Sequence, residues 1–341
     1  MLSGTHIEIR IIRLNLNMTE ERFIKLTRRA FGLGLLTVPV FTGISGCGDR
    51  NMGMYQQINR ELPARPSHFV LVDGAKIYAD IQGQGPDVVL IHGASGNGRD
   101  FTFSFATQLA ERGFRVLSFD RPGLGWSDPV VGGVSPIVQA RYLRQAATQL
   151  SVHNPIVLGH SYGGSVAMAW ALQDQHDLKG IVSLAGATNV WPGDLDVWYR
   201  LTGSSFGRRI IAPVVTKIAR DRDIISATES VFEPNKVPDG YIDHIGIGLT
   251  LRASSFALNA QQVTDLKSYL EKMEGEYGNI ATPTSIIFGD LDTTVPANVH
   301  GAKLHSQLRN SKLTVLRGVG HMPHHVEAEF VISEIERLAV R

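Results

Sequence analysis

A serine at position 161 stands between glycines at the end of an apolar run. The run PIVLGHS covers residues 155–161, and the stretch SVAMAWAL after it favours a helix. A serine at a strand-to-helix turn, flanked by Gly159 and Gly163, fits the G-x-S-x-G pattern, in which the glycines keep side chains out of a tight turn. Ser161 is therefore the candidate nucleophile.

A serine hydroxyl needs a general base to act as a nucleophile at neutral pH, and that base needs an acid to orient it. His321 lies in GVGHMPHH, just past the last apolar run, and Asp290 and Asp292 lie in FGDLDTTVP, just past the run before it. The carboxyl ends of parallel strands meet at one edge of a sheet, so we expect these side chains to lie near Ser161. The spacing predicts a Ser–His–Asp triad.

The elements that must position these residues alternate regularly from His68 onward. A hairpin around Asp73-Gly74 comes first. It is followed by segments that each contain an apolar run and end in a loop, at 87–93, 114–123, 155–161, 180–186, 284–290 and 312–321. Helices are predicted at 100–112, 137–151, 162–175, 297–309 and 323–340. This alternation predicts an α/β fold with a mostly parallel central sheet flanked by helices. Residues 188–278 interrupt it and are predicted to form a helical cap over one end of the sheet, or else additional helices with no role at the site.

From about residue 68 to the C-terminus, the chain resembles the α/β-hydrolase superfamily. The matching pieces are HGASGNGRDF, DRPGLGWSD, GHSYGG, GDLDTTVP and GHMPHH. The resemblance implies that Asp292 is the acid, with Asp290 as the fallback, and that His321 is the base. It also implies that the backbone N–H groups of Ala94 and Tyr162 form the oxyanion hole, and that the reaction needs no metal and no organic cofactor.

Four other titratable residues in these motifs have a structural interpretation. His92 lies on another strand and is expected to brace the loop that follows it. Asp120 belongs to a conformational loop rather than to the triad. His324 and His325 are expected in the first turn of the final helix, pointing away from Ser161.

The predicted function is serine hydrolysis by acyl transfer, with a small carboxylic ester as the default substrate. The same triad also serves carbon–carbon bond hydrolases, peptidases and cofactor-free perhydrolases. A non-catalytic, ligand-binding hydrolase fold is the alternative of another class. Substrate choice is expected to depend on the cap, whose aromatic side chains are expected mostly to form its own small core: Trp191, Trp198, Tyr199, Phe206, Phe232, Tyr241 and Phe256.

The N-terminal residues have the order of an export signal. From Met18, the expected true start, a charged stretch ending in Arg28-Arg29 leads into an apolar stretch and then to ISGC. TRRAFGL resembles the twin-arginine motif, and ISGC resembles the lipobox of bacterial lipoproteins, whose cysteine is acylated. Residues 1–47 are thus predicted to be a signal ending at a lipidated Cys47, residues 48–66 a tether, and residues 67–341 the hydrolase domain.

This signal predicts export to the periplasmic side of a bacterial envelope, with the protein held at a membrane by its lipid; without the signal, the protein would stay in the cytoplasm. An incidental cysteine beside a signal is the alternative to acylation. Lys plus Arg is 33 and Asp plus Glu is 32, so nucleic acid is not an expected partner. A single cysteine excludes a disulfide within the chain and a cysteine-based zinc cluster.

Overall fold

A computed structural model describes residues 58–193, 202–204 and 207–340 of the chain. The predicted signal, with Cys47, lies outside these residues, as do Trp198, Tyr199 and Phe206. Within the part described, the chain forms a hairpin, a seven-stranded sheet and helices on both faces of that sheet. None of these helices is long and apolar enough to cross a membrane.

The central sheet is parallel except at one edge. The hairpin consists of β1 (Val70–Val72) and β2 (Ala75–Ile77), and the sheet of β3 (Ala79–Gln82), β4 (Asp87–Ile91), β5 (Arg115–Phe119), β6 (Ile156–His160), β7 (Gly180–Leu184), β8 (Thr284–Gly289) and β9 (Ser311–Leu316). The strand order is β3-β5-β4-β6-β7-β8-β9, and only β3 runs antiparallel to its neighbour. Strands β6 and β7 are buried at every residue, which explains their unbroken apolar sequences.

Helices cover both faces and form the cap. In chain order they are α1 (Arg99–Thr102), α2 (Phe105–Glu111), α3 (Pro136–Gln149), α4 (Tyr162–Gln173), α5 (Ala212–Ile218), α6 (Asp221–Phe232), α7 (Tyr241–His244), α8 (Ile247–Thr250), α9 (Ala253–Met273), α10 (Gly301–Gln307), α11 (Pro323–Val326) and α12 (Ala328–Ala339). One apolar cluster joins α3, α4 and α9 to the sheet, and a second joins α2 and α12 to it. The predicted fold class, including the cap insertion between β7 and β8, is confirmed.

The predicted final helix is divided in two. Glu327 leaves the helical conformation, with φ −128° and ψ 46°, and separates α11 from α12. The two pieces are held by different contacts. The histidines of α11 bind Asp100, whereas α12 packs Val331 and Ile335 against the sheet.

The last residues of the predicted tether contact the cap. Ile58 is buried beside Ile224 and Ile247. The Arg60 guanidinium forms an ion pair with Asp221 and donates a hydrogen bond to the Ala219 carbonyl at 2.8 Å. The chain therefore reaches the folded domain beside the C-terminal end of α5. The boundaries of the domain and of the cap stay predictions.

Candidate active site

Ser161 occupies the turn between β6 and α4 in a conformation that needs the surrounding glycines. Its φ of 54° lies in the left-handed region, which typically costs a non-glycine residue about 1–3 kcal/mol. A Cβ on Gly159 would lie 2.1 Å from the Gly163 carbonyl oxygen, and a Cβ on Gly163 would lie 2.1 Å from the Ile91 carbonyl oxygen. The Ser161 amide donates to the Leu184 carbonyl at 3.0 Å, which fixes the turn against the next strand.

A chain of hydrogen bonds joins three of the predicted site residues. His321 Nε2 lies 2.9 Å from Ser161 Oγ, and His321 Nδ1 lies 2.8 Å from Asp292 Oδ2. All three side chains are buried. The carboxylate can only accept at Nδ1, so the proton belongs on that nitrogen and Nε2 is left as the acceptor facing the serine hydroxyl.

The two candidate acids take different partners. The second oxygen of Asp292, Oδ1, accepts hydrogen bonds from the amides of Thr294 at 2.8 Å and Val295 at 2.9 Å, so the loop after β8 holds this carboxylate against His321. Asp290 instead accepts from the Gly318 amide at 2.7 Å. The structure thus places Asp292, and not the fallback Asp290, on the histidine.

The loop after β4 passes close to the serine. A Cβ on Gly93 would lie 3.0 Å from the Ser161 Cβ, so the backbone leading into Ala94 adjoins the hydroxyl. Within the part of the chain that the structure describes, the Ala94 and Tyr162 amides donate no hydrogen bond. The assignment of these two amides as oxyanion donors stays a prediction.

The cap holds this loop in place at Ser95, whose φ of 56° is also left-handed. The Ser95 amide donates to Asn259 Oδ1 at 2.7 Å, and Asn259 Nδ2 donates to Ser95 Oγ at 2.9 Å. Thr250 Oγ1 donates to the Ser95 carbonyl at 3.2 Å. Sequence reasoning missed Asn259 and Thr250 because no motif connects residues of an irregular insertion with a loop about 160 positions earlier.

A cavity of about 140 Å³ opens beside Ser161 and His321 and lies between the cap and the sheet edge. Its cap wall is largely apolar, with side chains from Ile224, Ala227, Val231, Phe232, Ile245, Ile247 and Leu251. No lysine or arginine of the described residues lines it. Phe232 and Tyr241, predicted to belong mostly to a cap core, also form part of this wall, whereas Phe256 packs between α5 and α9.

Comparison with known proteins assigns the chain to one family. A sequence model of the alpha/beta hydrolase family matches residues 88–334, which include all three residues of the hydrogen-bonded chain. The protein is an α/β-hydrolase. The predicted superfamily resemblance is confirmed.

Relatives of this α/β-hydrolase differ in their named reactions. It is 28% identical over 285 residues to a 2-hydroxy-6-oxononadienedioate/2-hydroxy-6-oxononatrienedioate hydrolase of Cupriavidus pinatubonensis, covering 76% of this chain and 90% of the relative. It is 27% identical over 287 residues to an uncharacterized protein of Mycobacterium tuberculosis, with 82% of each chain covered. An esterase from Exiguobacterium antarcticum shares its fold, with a TM-score of 0.63, 23% identity, and coverage of 80% of this chain and 98% of the esterase.

Behind the hydrogen-bonded chain, this hydrolase has a second buried polar cluster centred on Asp100. Asp100 Oδ1 accepts from the Tyr241 hydroxyl at 2.7 Å and from His325 Nε2 at 2.9 Å, and Oδ2 accepts from His324 Nε2 at 3.1 Å. Burial alone would raise the pKa of Asp100, but the His324 ring and the hydrogen bonds from both histidines hold it well below its usual range. The carboxylate therefore ties α1, α7 and α11 together.

His160 links this cluster to His321. Its Nε2 donates to the His321 carbonyl at 2.8 Å, and its ring centroid lies 4.7 Å from that of His324. As predicted, neither His324 nor His325 contacts Ser161; both bind Asp100 instead. Potential ligand atoms of Asp100, His160 and His324 lie within 4.8 Å of one another, but the Asp100 carboxylate already accepts three hydrogen bonds, so we interpret the group as a hydrogen-bonded hub.

His92 and Asp120 have the structural contacts predicted for them. The His92 ring bonds the Gly93 carbonyl at 2.8 Å and accepts from the Arg121 amide at 3.0 Å, so it braces the loop after β4. Burial, with the nearby Arg121 charge, lowers the pKa of His92 to about 3. Asp120 accepts from the amides of Gly98 and Trp126, each at 2.6 Å, and thereby joins two loops.

Buried neutral histidines should make the protein sensitive to acid. Burial lowers the pKa of His92 to about 3 and the pKa values of His300 and His324 to about 4, from 6.5. Below pH 6.5 the unfolded chain binds these protons and the folded protein does not, so stability falls as the pH falls. Asp120, whose pKa burial raises to about 6, opposes this below pH 6 by one proton. Burial also lowers the pKa of His160 well below 6.5, so four histidines less Asp120 leave a net difference of three protons, which corresponds to about 4 kcal/mol per pH unit.

We therefore expect the urea midpoint of unfolding to decrease steeply between pH 7 and pH 5. The fall lies in this range because the histidines of the unfolded chain bind their protons near their ordinary pKa of about 6.5. His300→Gln should reduce this dependence, whereas His153→Gln, at an exposed position, should not. A midpoint that is flat over this range would contradict the prediction.

Proposed function

We propose that this α/β-hydrolase is a carboxylic ester hydrolase that uses Ser161 as nucleophile, His321 as general base and Asp292 as the orienting acid. The observation that carries the proposal is the hydrogen-bonded chain from Ser161 Oγ through the His321 ring to Asp292 Oδ2, with distances of 2.9 and 2.8 Å. Ser161, at the end of this hydrogen-bonded chain, lines a cavity with a largely apolar wall, so a bound substrate would contact the serine away from bulk water.

The proposed reaction has two acyl-transfer steps. His321 Nε2 takes the proton of Ser161 as Oγ attacks the ester carbonyl, and the imidazolium then protonates the departing alcohol. The amides of Ala94 and Tyr162 stabilise the tetrahedral oxyanion. Water, deprotonated by the same histidine, attacks the acyl-enzyme; the bond from the acyl carbon to Ser161 Oγ breaks, the imidazolium returns its proton to Oγ, and the acid is released. Asp292 holds Nδ1–H throughout and stabilises the charged ring.

The cavity favours an uncharged substrate with an apolar acyl group. Its described lining offers no cation to pair with a carboxylate, and Asp100, with its lowered pKa, adds a negative charge to the wall. An anionic substrate would lose its hydration there without gaining a partner. The volume of about 140 Å³ is that of a small cavity, which suits short acyl groups or chains that extend toward its opening.

Carbon–carbon bond hydrolysis is the second candidate, favoured by the 28% identity to the Cupriavidus pinatubonensis relative. The "dioate" in that relative's name denotes two carboxylates. The absence of a lysine or arginine from the described cavity lining is the observation that ranks the ester first. Peptide hydrolysis and perhydrolysis use the same groups and are tested with the same protein.

The test is a substrate panel on the purified protein. p-Nitrophenyl esters of increasing acyl length, a dienedioate ring-fission product, a peptide amide and peracid formation would be assayed side by side. A fluorophosphonate probe separates an enzyme from a ligand-binding protein, since only an activated serine reacts with it. Turnover of the dienedioate but not of esters would overturn the ester assignment. Absence of both labelling and turnover would support the binding alternative.

Asn259 should act on the reaction through Ser95. Without its two hydrogen bonds, Ser95 is expected to leave the left-handed region and to displace the Ala94 amide that precedes it. We expect Asn259→Ala to lower kcat by about 10²-fold, the effect of losing one oxyanion donor, with little change in KM.

A second substitution tests this pathway. Glycine adopts positive φ freely, so Ser95→Gly should restore part of the kcat that Asn259→Ala loses. Gln261→Ala, on the same helix, serves as the control. An unchanged kcat in Asn259→Ala, or a loss that appears only in KM, would show that the cap does not hold the oxyanion loop.

We also propose that the protein is exported and acylated at Cys47. This proposal is supported by the sequence from Met18 to Cys47 alone. On membranes washed with high salt, which weakens binding that depends on charge, Cys47→Ser should move the protein from the membrane fraction to the soluble fraction, and it should abolish incorporation of radioactive palmitate. Unchanged membrane retention together with absent palmitate in the unaltered protein would count against acylation.

A further inference from the structure

The cap carries a row of aliphatic side chains on its outer surface. Ile210, Val214 and Ile218, here called the aliphatic row, follow one another at four-residue intervals and are 53%, 51% and 51% exposed. The opposite side of the same segment is packed, because Ala212 and Val215 are buried against α9. The row therefore lies on the solvent side of a helical segment, the π-helical turn Gly207–Ile211 followed by α5, whose other side is packed against the cap.

Two exposed basic residues lie beside the row. The sequence from 207 to 223 contains five lysines and arginines and two aspartates, in a chain whose net charge is +1. Arg209 and Lys217, next to the two ends of the row, are exposed. Asp221 is bound by Arg60, and Asp223 forms ion pairs with Arg220 and Arg222. The positive charge beside the row therefore comes from Arg209 and Lys217. An exposed aliphatic row with flanking positive charge is the surface that an anionic lipid interface fits.

The entry point of the N-terminal segment lies at the same helix. Arg60 donates to the carbonyl of Ala219, the residue after Ile218, and the Ile58 amide donates to Asp221 at 3.2 Å. Cys47 lies 11 residues before Ile58, and a fully extended chain of this length spans at most about 40 Å. A lipid at Cys47 would thus keep the row within reach of a bilayer.

We propose that the aliphatic row docks the cap on an anionic membrane surface. Its side chains enter the boundary between headgroups and acyl chains, while Arg209 and Lys217 contact the lipid phosphates. Helix α6, which begins at Asp221 after the row, lines the cavity with Ile224 and Val231. Docking thereby brings one wall of the cavity next to the lipid. This docking does not depend on the hydrolytic reaction or on acylation.

A single fluorophore tests the docking in the full-length chain. Cys47→Ser removes the only cysteine, and Val214→Cys then gives one site for an environment-sensitive label such as NBD. We expect a blue shift and protection from iodide on adding phosphatidylcholine–phosphatidylglycerol vesicles, and a weaker response to phosphatidylcholine alone. The same label at Val131→Cys, a position that is 93% exposed elsewhere on the domain, should not respond.

Matched substitutions separate the row from the rest of the chain. Ile210→Ser with Ile218→Ser should raise the lipid concentration for a half-maximal response at position 214 by at least about 10-fold. Leu71→Ser with Ile81→Ser, which also removes two exposed aliphatic side chains, should leave it unchanged. The apolar stretch of the predicted signal, residues 31–44, is the same in all variants. A difference in lipid response between the two pairs of substitutions therefore comes from the row.

The proposal is overturned if the label at position 214 stays in water on anionic vesicles, or if both pairs of substitutions have the same effect. It is also overturned if the label responds to protein concentration rather than to lipid, because the row then covers a second copy of the chain. The far-ultraviolet circular dichroism spectrum and the urea midpoint of each variant show that the domain is folded. Because neither measurement needs ester turnover, this test stays separate from that of the proposed function.

Discussion

Ser161→Ala is expected to reduce ester turnover by about 10⁶-fold in kcat, the scale of removing the nucleophile of a serine hydrolase. Alanine leaves the turn and the cavity intact but offers no oxygen to attack the carbonyl or to form the acyl-enzyme. The measurement is p-nitrophenyl ester hydrolysis together with fluorophosphonate labelling, both of which should be lost.

Ser165→Ala is the matched control, since Ser165 lies one turn later in α4 and its hydroxyl donates to the Tyr162 carbonyl at 2.7 Å. Ser165→Ala should still react with the fluorophosphonate probe. Labelling that survives in Ser161→Ala would place the reactive group elsewhere and would end the proposed mechanism.

Asp292→Asn is expected to lower kcat by about 10⁴-fold through the wrong histidine tautomer. Asp292 uses Oδ1 for the amides of Thr294 and Val295 and Oδ2 for His321. An asparagine has one oxygen, and the two amides retain it, so its NH₂ group faces Nδ1 of the ring. The histidine must then carry its proton on Nε2, where it cannot accept the proton of Ser161.

The control is Asp290→Asn, which alters a carboxylate bound to the Gly318 amide rather than to His321. It should retain most of the activity. The two variants would be compared by kcat over a range of pH. Equal losses in both, or a larger loss in Asp290→Asn, would show that the acid has been assigned to the wrong side chain.

The sequence by itself determined the fold class and the order of the candidate site residues. Strands such as β6 and β7 are buried at every residue, so their apolar runs could be read directly. Gly159 and Gly163 indicated a turn with no room for side chains. The structure gives the reason, because a Cβ added at either position would lie 2.1 Å from a backbone carbonyl oxygen. These features are local, because a strand's burial and a turn's crowding leave their mark on neighbouring residues.

Only the tertiary structure decided which aspartate reaches His321, how the final helix divides and what holds the loop after β4. Asp290 and Asp292 are two residues apart on one loop and are distinguished by their hydrogen-bond partners. Asp290 accepts from the Gly318 amide, whereas Asp292 binds the His321 ring. The hub at Asp100 and the contact between Asn259 and Ser95 join residues far apart in the chain. Such pairings depend on how the cap and loops pack in space, which no spacing along the chain records.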